Sequence, residues 1–195
     1  PLRRLTRYEF QNSLEAVLAI PLKAPYRDTI TGRLEASKIE TLVPSDIPGE
    51  SGFDNDAHRL GQLRPPLKEL ANAANFALEK FRKDPKAMKT VLGRSDIPEK
   101  LGEVEFKQLV AKILLRAHRG NDQRLAEYAT DYFRQYQRHL RASNDSTASL
   151  IHVFEMILVS PEFLYRMEQS RGRDTPYPVT GVELATRLAH FLWAS

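Results

Sequence analysis

The stretch that decides the fold is Glu103-Val104-Glu105-Phe106-Lys107-Gln108-Leu109-Val110-Ala111-Lys112-Ile113-Leu114-Leu115-Arg116-Ala117-His118. Phe106, Leu109, Val110, Ile113, Leu114 and Ala117 return at three- and four-residue steps, the period of one helix face. Gly120 follows where a left-handed residue closes a helix. Asn121 or Asp122 then offers a cap for a helix running to about Arg141, with Leu125, Tyr128, Tyr132, Tyr136 and Leu140 on one stripe. Ser146 or Thr147 begins a third, whose Leu150, Ile151, Phe154, Ile157 and Leu158 make a wide apolar face. With no convincing alternating strand pair anywhere, the class is all-α, an irregular multi-helix assembly with a loop-rich N-terminal third.

Toward the C-terminus, Ser160-Pro161-Glu162 places a cap, a first-turn proline and an acid in order, which predicts a short helix from Pro161 to Gln169. A polar linker, Ser170 to Pro178, precedes Thr180 and Glu183, whose spacing is that of a capping box before Leu184, Leu188, Phe191 and Leu192. Toward the N-terminus, Leu67, Leu70, Ala74, Ala77, Leu78 and Phe81 predict a helix from Pro66 to near Asp84, with a loop from Gly93 to Gly102. The first helix, about Thr6 to Ala19, carries the Thr6/Glu9 capping-box spacing and buries Phe10, Leu14, Val17 and Leu18. Between Pro21 and Pro66, recurrent proline and glycine break every helical period. The expected anchors of that irregular stretch are Ile39, Leu42, Val43, Ile47 and Phe53.

Composition narrows the chemistry. The chain has 195 residues, 42% hydrophobic and 28% charged, with a formal charge of +4. These are values of a folded globular chain. Zero cysteines exclude disulfides, cysteine-ligated zinc, iron–sulfur clusters and haem c attachment within this stretch. No apolar run reaches the roughly 18–20 residues of a membrane span. A start at Pro1 and an end just past Trp193 read as a fragment of something longer.

No stretch carries a complete catalytic pattern. His58, His118, His139, His152 and His190 show no metalloprotease spacing and read as structural or exposed. Asp54-Asn55-Asp56 opens like a calcium loop but lacks the later glycine and bidentate glutamate, so a turn is the plainer reading. Ser160 lies outside any nucleophile elbow and reads as a helix cap. Arg3, Arg4 and Arg7, and later Arg134, Arg138, His139 and Arg141 beside aromatics, have the residue types of a nucleic-acid surface; the placement of Arg134, Arg138 and Arg141 on one side of a helix favours a structural role. Arg166 and Arg187 each follow an acid, Glu162 and Glu183, at i,i+4, a spacing that stabilises a helix by about 0.2–0.5 kcal/mol when exposed.

Four stretches together resemble the planctomycete multidomain proteins built from domains of unknown function 1587, 1595 and 1592. Leu2-Arg3-Arg4-Leu5-Thr6-Arg7-Tyr8-Glu9-Phe10-Gln11-Asn12-Ser13-Leu14 is similar to the opening of the first, and Gly52-Phe53-Asp54-Asn55-Asp56-Ala57 to its acidic signature. Leu158-Val159-Ser160-Pro161-Glu162-Phe163-Leu164-Tyr165-Arg166 resembles the close of the second. Glu183-Leu184-Ala185-Thr186-Arg187-Leu188-Ala189-His190-Phe191-Leu192-Trp193 resembles the start of the third. The boundaries follow as 1–66, a helical connector 67–102, 103–169, and a truncated 179–195.

The resemblance implies an exported, periplasmic or cell-envelope protein, often with c-type haem motifs and accessory domains elsewhere in the chain, and no established reaction. The expectation is a non-catalytic scaffold whose partners are neighbouring domains of the same chain, with an envelope or redox partner besides; nucleic acid is disfavoured. The alternatives are part of a redox or polysaccharide-active enzyme completed by other domains, and a basic nucleic-acid module. The motif candidates for a site are Arg4, Glu9, Asp54, Asp56, Glu162, Arg166, Glu183 and Arg187. No cofactor is expected within this segment.

Overall fold

The computed structural model describes residues 3–23, 37–48, 60, 66–118, 124–166 and, singly, 181, 184, 185 and 188. Among them the long elements are α1 (Arg7–Leu18), α3 (Leu67–Phe81), α4 (Pro85–Leu92), α5 (Glu103–Ala117), α6 (Leu125–Ser143) and α7 (Ser146–Leu158). Two shorter helices, α2 (Lys38–Leu42) and α8 (Pro161–Leu164), and two two-residue strands, β1 (Arg3–Arg4) and β2 (Tyr165–Arg166), complete the described elements. The fold is all-α.

Why these residues form these helices is visible at their ends. Thr6 accepts from the Glu9 N–H and the Glu9 carboxylate accepts from the Thr6 N–H, the reciprocal bonds of the predicted capping box. Asp84 caps α4 and Pro85 fills its first position, where no N–H is needed; Gly93 then closes the helix at φ 74°, in the left-handed region. Asp145 caps α7 through the Ala148 N–H at 2.9 Å, and Ser160 caps α8.

α7 is the centre of the assembly. Leu150, Val153, Phe154, Ile157 and Leu158 are fully buried, against α3 on one side and α5 and α6 on the other. α3 approaches closely because Ala73, Ala74 and Ala77 line its buried face. α1 packs on α2, α3, α4 and α5, which buries not only Phe10, Leu14, Val17 and Leu18 but also Gln11, Asn12 and Ser13. The buried polar face is partly satisfied by Ser37, whose hydroxyl donates to Gln11 Oε1 at 2.7 Å. Side chains from Leu5 to Leu164 share one hydrophobic core, so the stretches 1–66, 67–102 and 103–169 all contribute to it.

Basic side chains of α5 close two other helices. Arg116 donates from Nε to the Val17 carbonyl at 2.7 Å and from Nη2 to the Ala16 carbonyl at 2.6 Å, satisfying acceptors that α1 leaves open at its C-terminus. Lys112 does the same for Leu92 at the end of α4. Replacing Arg116 by Ala removes two charge-assisted bonds and a cation from the negative end of α1, and urea denaturation is expected to show a loss of about 1–3 kcal/mol. Lys at the same position keeps the charge and is expected to lose less.

Several expectations are corrected. The prediction of one helix from Pro66 followed by a loop misses α4: the Asp84-Pro85 pair that stops α3 also starts the next helix. The irregular N-terminal third contains α2, nucleated by Ser37, whose side chain accepts from the Glu40 N–H. Of its expected anchors, Ile39 and Val43 are buried and Leu42 partly so, but Ile47 is exposed; Phe53 lies outside the described residues. Leu67, expected on the buried face of α3, is also exposed. At the start of α6 the capping position is held by Arg124, with no side-chain cap bond, while Asn121 and Asp122 lie outside the described residues. The predicted helix to Gln169 stops at Leu164, because Tyr165 turns extended (φ −117°, ψ 143°) and enters β2. Arg166 and Glu162 therefore do not share a helix face. A strand pair does exist: β1 and β2 are antiparallel, with Arg3 opposite Arg166 and Arg4 opposite Tyr165, extended by a Leu5 N–H to Leu164 carbonyl bond of 2.8 Å.

Candidate functional site

The stretches that carry the opening and closing motifs meet in space. β1 brings Arg3 and Arg4 alongside β2, while Phe10 of α1 touches Phe163 of α8 edge-on, with ring centroids 5.9 Å apart. Around this clasp the charges are paired. Arg3 forms a fork with Glu9, Nη1 to Oε2 at 2.8 Å and Nη2 to Oε1 at 2.6 Å, with both side chains about nine-tenths buried. The same Glu9 Oε2 accepts the Thr6 N–H at 2.8 Å. One carboxylate thus holds a buried guanidinium and caps α1.

Arg4 is paired across a longer stretch of chain that includes α1 and α2. Its Nη2 donates to Asp46 Oδ1 at 2.6 Å and its Nη1 to the Leu5 carbonyl at 3.0 Å. The other oxygen of Asp46 accepts the Arg7 N–H at 2.5 Å, a donor of the first turn of α1 that has no partner within the helix. Asp46 therefore places negative charge at the positive end of the α1 dipole. Arg7 in turn donates to the Glu40 and Val43 carbonyls at 3.3 and 3.4 Å, tying α2 to the same end of α1.

A second polar group lies where α6 meets α8. Tyr128 donates to Glu162 Oε1 at 3.3 Å, the Arg124 guanidinium sits 4.9 Å from the Tyr128 ring centre, and His118 meets that ring edge-on at 5.4 Å. Arg124 is forked to Glu127 at 2.9 and 3.1 Å, which holds the Glu127 carboxyl below its ordinary range. Burial first, and the Glu162 carboxylate second, push the Tyr132 phenol up to about 12; the same two causes raise Tyr128. Both phenols therefore keep their protons at neutral pH, and Tyr128 donates its own to Glu162, the reverse of what a phenolate base or nucleophile needs.

The sign of the Tyr132 shift fixes a prediction. The unfolded chain ionises this tyrosine near 10, so between that value and about 12 it releases the proton that the native state retains. Stability supplied by the neutral phenol is present below about pH 10 and is lost as pH rises toward 12. Absorbance at 295 nm is expected to show Tyr132 titrating late, with Tyr128 also raised, and both moving down in Glu162→Gln, where the second cause is removed.

Of the sequence candidates, Arg4 and Glu9 lie in the clasp, and Glu162 lies in the tyrosine group. The backbone of Arg166 lies in β2; its side chain, with Asp54, Asp56, Glu183 and Arg187, is outside the described residues. His58 and His190 lie outside them too. The basic cluster of the opening motif is not a free cationic surface: Arg3 and Arg4 are buried in ion pairs. Arg134 is paired to Asp131 on the exposed side of α6. Sequence reasoning missed Asp46, Tyr128, Tyr132 and Arg116 as functional partners. Only the opening arginines signalled that buried acids would be needed.

Among the described residues no group of three or more His, Cys, Asp and Glu side chains is arranged to hold a metal ion, and no helix is long and apolar enough to cross a membrane. No family model, curated protein or solved structure matches the chain.

Proposed function

We propose that this chain is a non-catalytic helical scaffold, a segment of a larger exported protein of the planctomycete type it resembles, and that its partners are neighbouring modules of the same polypeptide. The observation that carries this reading is the fate of the motif charges. Arg3, Arg4, Glu9 and Asp46 are spent on one another and on the start of α1, not aimed at a common ligand position. A well-packed apolar replacement for a buried pair is often as stable, and in some proteins such pairs serve to fix geometry instead, the role this reading gives to the clasp. The clasp ties Tyr165–Arg166 back to the N-terminal strand, which supports a role for the helical core as the base on which a following module is held.

Leu184 and Leu188, about half exposed, supply apolar surface for such a module. Any haem c chemistry would belong to other parts of the polypeptide, because this segment has no cysteine to attach it. Hydrogen exchange tests the reading in the chain alone and in the longer polypeptide. Amides 184–188 are expected to become protected when the next module is present. Unchanged exchange there, or hydrolytic or redox turnover by the segment alone, would oppose it.

A further inference from the structure

Away from the clasp, the corner that joins α3 to α4 carries most of the chain's surplus charge. From Glu79 to Lys89 the sequence sets Lys80, Arg82, Lys83, Lys86 and Lys89 against Glu79 and Asp84, a surplus of three where the whole chain has four. All five cations are exposed, with 73% of the Lys83 side chain open to solvent. The two acids are already committed. Glu79 Oε2 accepts from Arg82 Nε at 2.8 Å and lies 4.0 Å from Lys83 Nζ, while Asp84 Oδ1 accepts the Lys86 and Ala87 N–H groups as the cap of α4. Lys80 sits over the Phe76 ring at 5.3 Å. Lys86 and Lys89 lie one turn apart on the outer face of α4, opposite Ala87, Met88, Val91 and Leu92, and have no carboxylate partner among the described residues. Helix stability accounts for part of this pattern, because Lys80 and Lys89 stand in the last turns of α3 and α4, where the dipole favours a cation. It does not account for Lys83 and Lys86, which bracket the positive end of α4, where an acid would be favoured.

We propose that the α3–α4 corner rests on an anionic lipid surface, where Lys83, Lys86 and Lys89, with Lys80 and Arg82 beside them, hold the chain against the headgroups without entering the bilayer. Attraction of this kind needs a local surplus of cations within about 10 Å of the surface, the screening length, and no convergence on one point. Five basic residues fall in the range of about four to eight that marks such clusters. Lysine dominates the corner, and its ammonium is a compact, hydrated charge suited to a diffuse surface. The single arginine is already bound to Glu79, so no free guanidinium fork is left to grip a discrete phosphate. No large hydrophobic side chain is exposed between Glu79 and Lys89, which makes the contact electrostatic and not an insertion. For the same reason the segment offers no exposed aromatic ring on which a nucleic-acid base could stack.

The test is flotation of the whole 195-residue chain with vesicles of phosphatidylcholine alone and of an equimolar mixture of phosphatidylcholine and phosphatidylglycerol. Binding to the mixed vesicles only is expected, and it is expected to vanish near 1 M salt, where the screening length falls to about 3 Å. The double variant Lys86→Gln with Lys89→Gln is expected to bind the mixed vesicles about twentyfold more weakly. Arg138→Gln with Arg141→Gln removes the same charge from the exposed side of α6, away from the corner, and is expected to weaken binding by less than about threefold. All four substitutions are of exposed side chains, and circular dichroism with the urea midpoint establishes that each double variant is folded. Equal weakening in the two double variants would place the attraction in the net charge of the chain and overturn the proposal. So would the absence of binding by the wild type, or duplex DNA that displaces the chain from the vesicles and loses its own binding in the Lys86/Lys89 variant.

Discussion

Glu9→Ala is expected to lower the unfolding free energy by about 3–5 kcal/mol, measured by urea denaturation. The substitution leaves the Arg3 guanidinium buried with neither of its two short carboxylate bonds, and desolvating an ion without its partner is what makes such a loss large. The Thr6 N–H loses its acceptor at the same time, undoing half of the capping box. Against a total stability of about 5–15 kcal/mol for a domain, a substantial unfolded population follows at modest urea concentration. The controls separate charge from shape. Glu9→Gln retains an acceptor for Thr6 but not the charge, and is expected to fall between wild type and Ala. The double variant Arg3→Met with Glu9→Leu removes both charges together and is expected to cost much less than Glu9→Ala. A loss below 1 kcal/mol for Glu9→Ala would mean that the pair is solvated and contributes little to holding the clasp.

The clasp also shows where sequence reasoning reaches and where it stops. Thr6 and Glu9 are three residues apart, so their reciprocal bonds were legible from spacing alone, and the apolar periods of α1, α3, α5, α6 and α7 were legible for the same reason. α4 was missed although its signals are present: Asp84, Pro85 and Gly93 bracket Ala87, Met88, Val91 and Leu92. Eight residues provide barely two turns of period, and a proline after an acid reads equally as a stop. β1 and β2 have only two residues each, too few for any alternation to appear, and their pairing joins distant parts of the chain. The same distance hides Asp46, which becomes the partner of Arg4 and the acceptor of the Arg7 N–H only after α1 and α2 have packed. Local hydrogen bonding even misled at Tyr165: a good helix start at Ser160-Pro161-Glu162 does not fix the length of the helix, and pairing to β1 ended it after four residues.

Phe106→Ala is the second large effect, expected to cost about 3–5 kcal/mol. Phe106 is fully buried on α5, with its ring centre 4.7 Å from that of Tyr136 and 5.2 Å from that of Phe133, so it is the side chain through which α5 grips α6. Tyr136 is itself buried and its hydroxyl is 2.8 Å from Ser146 Oγ at the first turn of α7. Removing the Phe106 ring therefore takes away its transfer free energy, opens a cavity beside Tyr136, and loosens the residue that links α6 to α7. At about 2–4 °C per kcal/mol for a chain of this length, the thermal midpoint is expected to fall by roughly 6–20 °C. Phe106→Leu refills part of the space and is expected to cost less. Tyr136→Phe, which keeps the ring and removes only the hydroxyl, is expected to lose about 0.5–1.5 kcal/mol. If Phe106→Ala instead cost no more than Tyr136→Phe, the α5–α6–α7 junction would be held by its hydrogen bond and not by its aromatic packing.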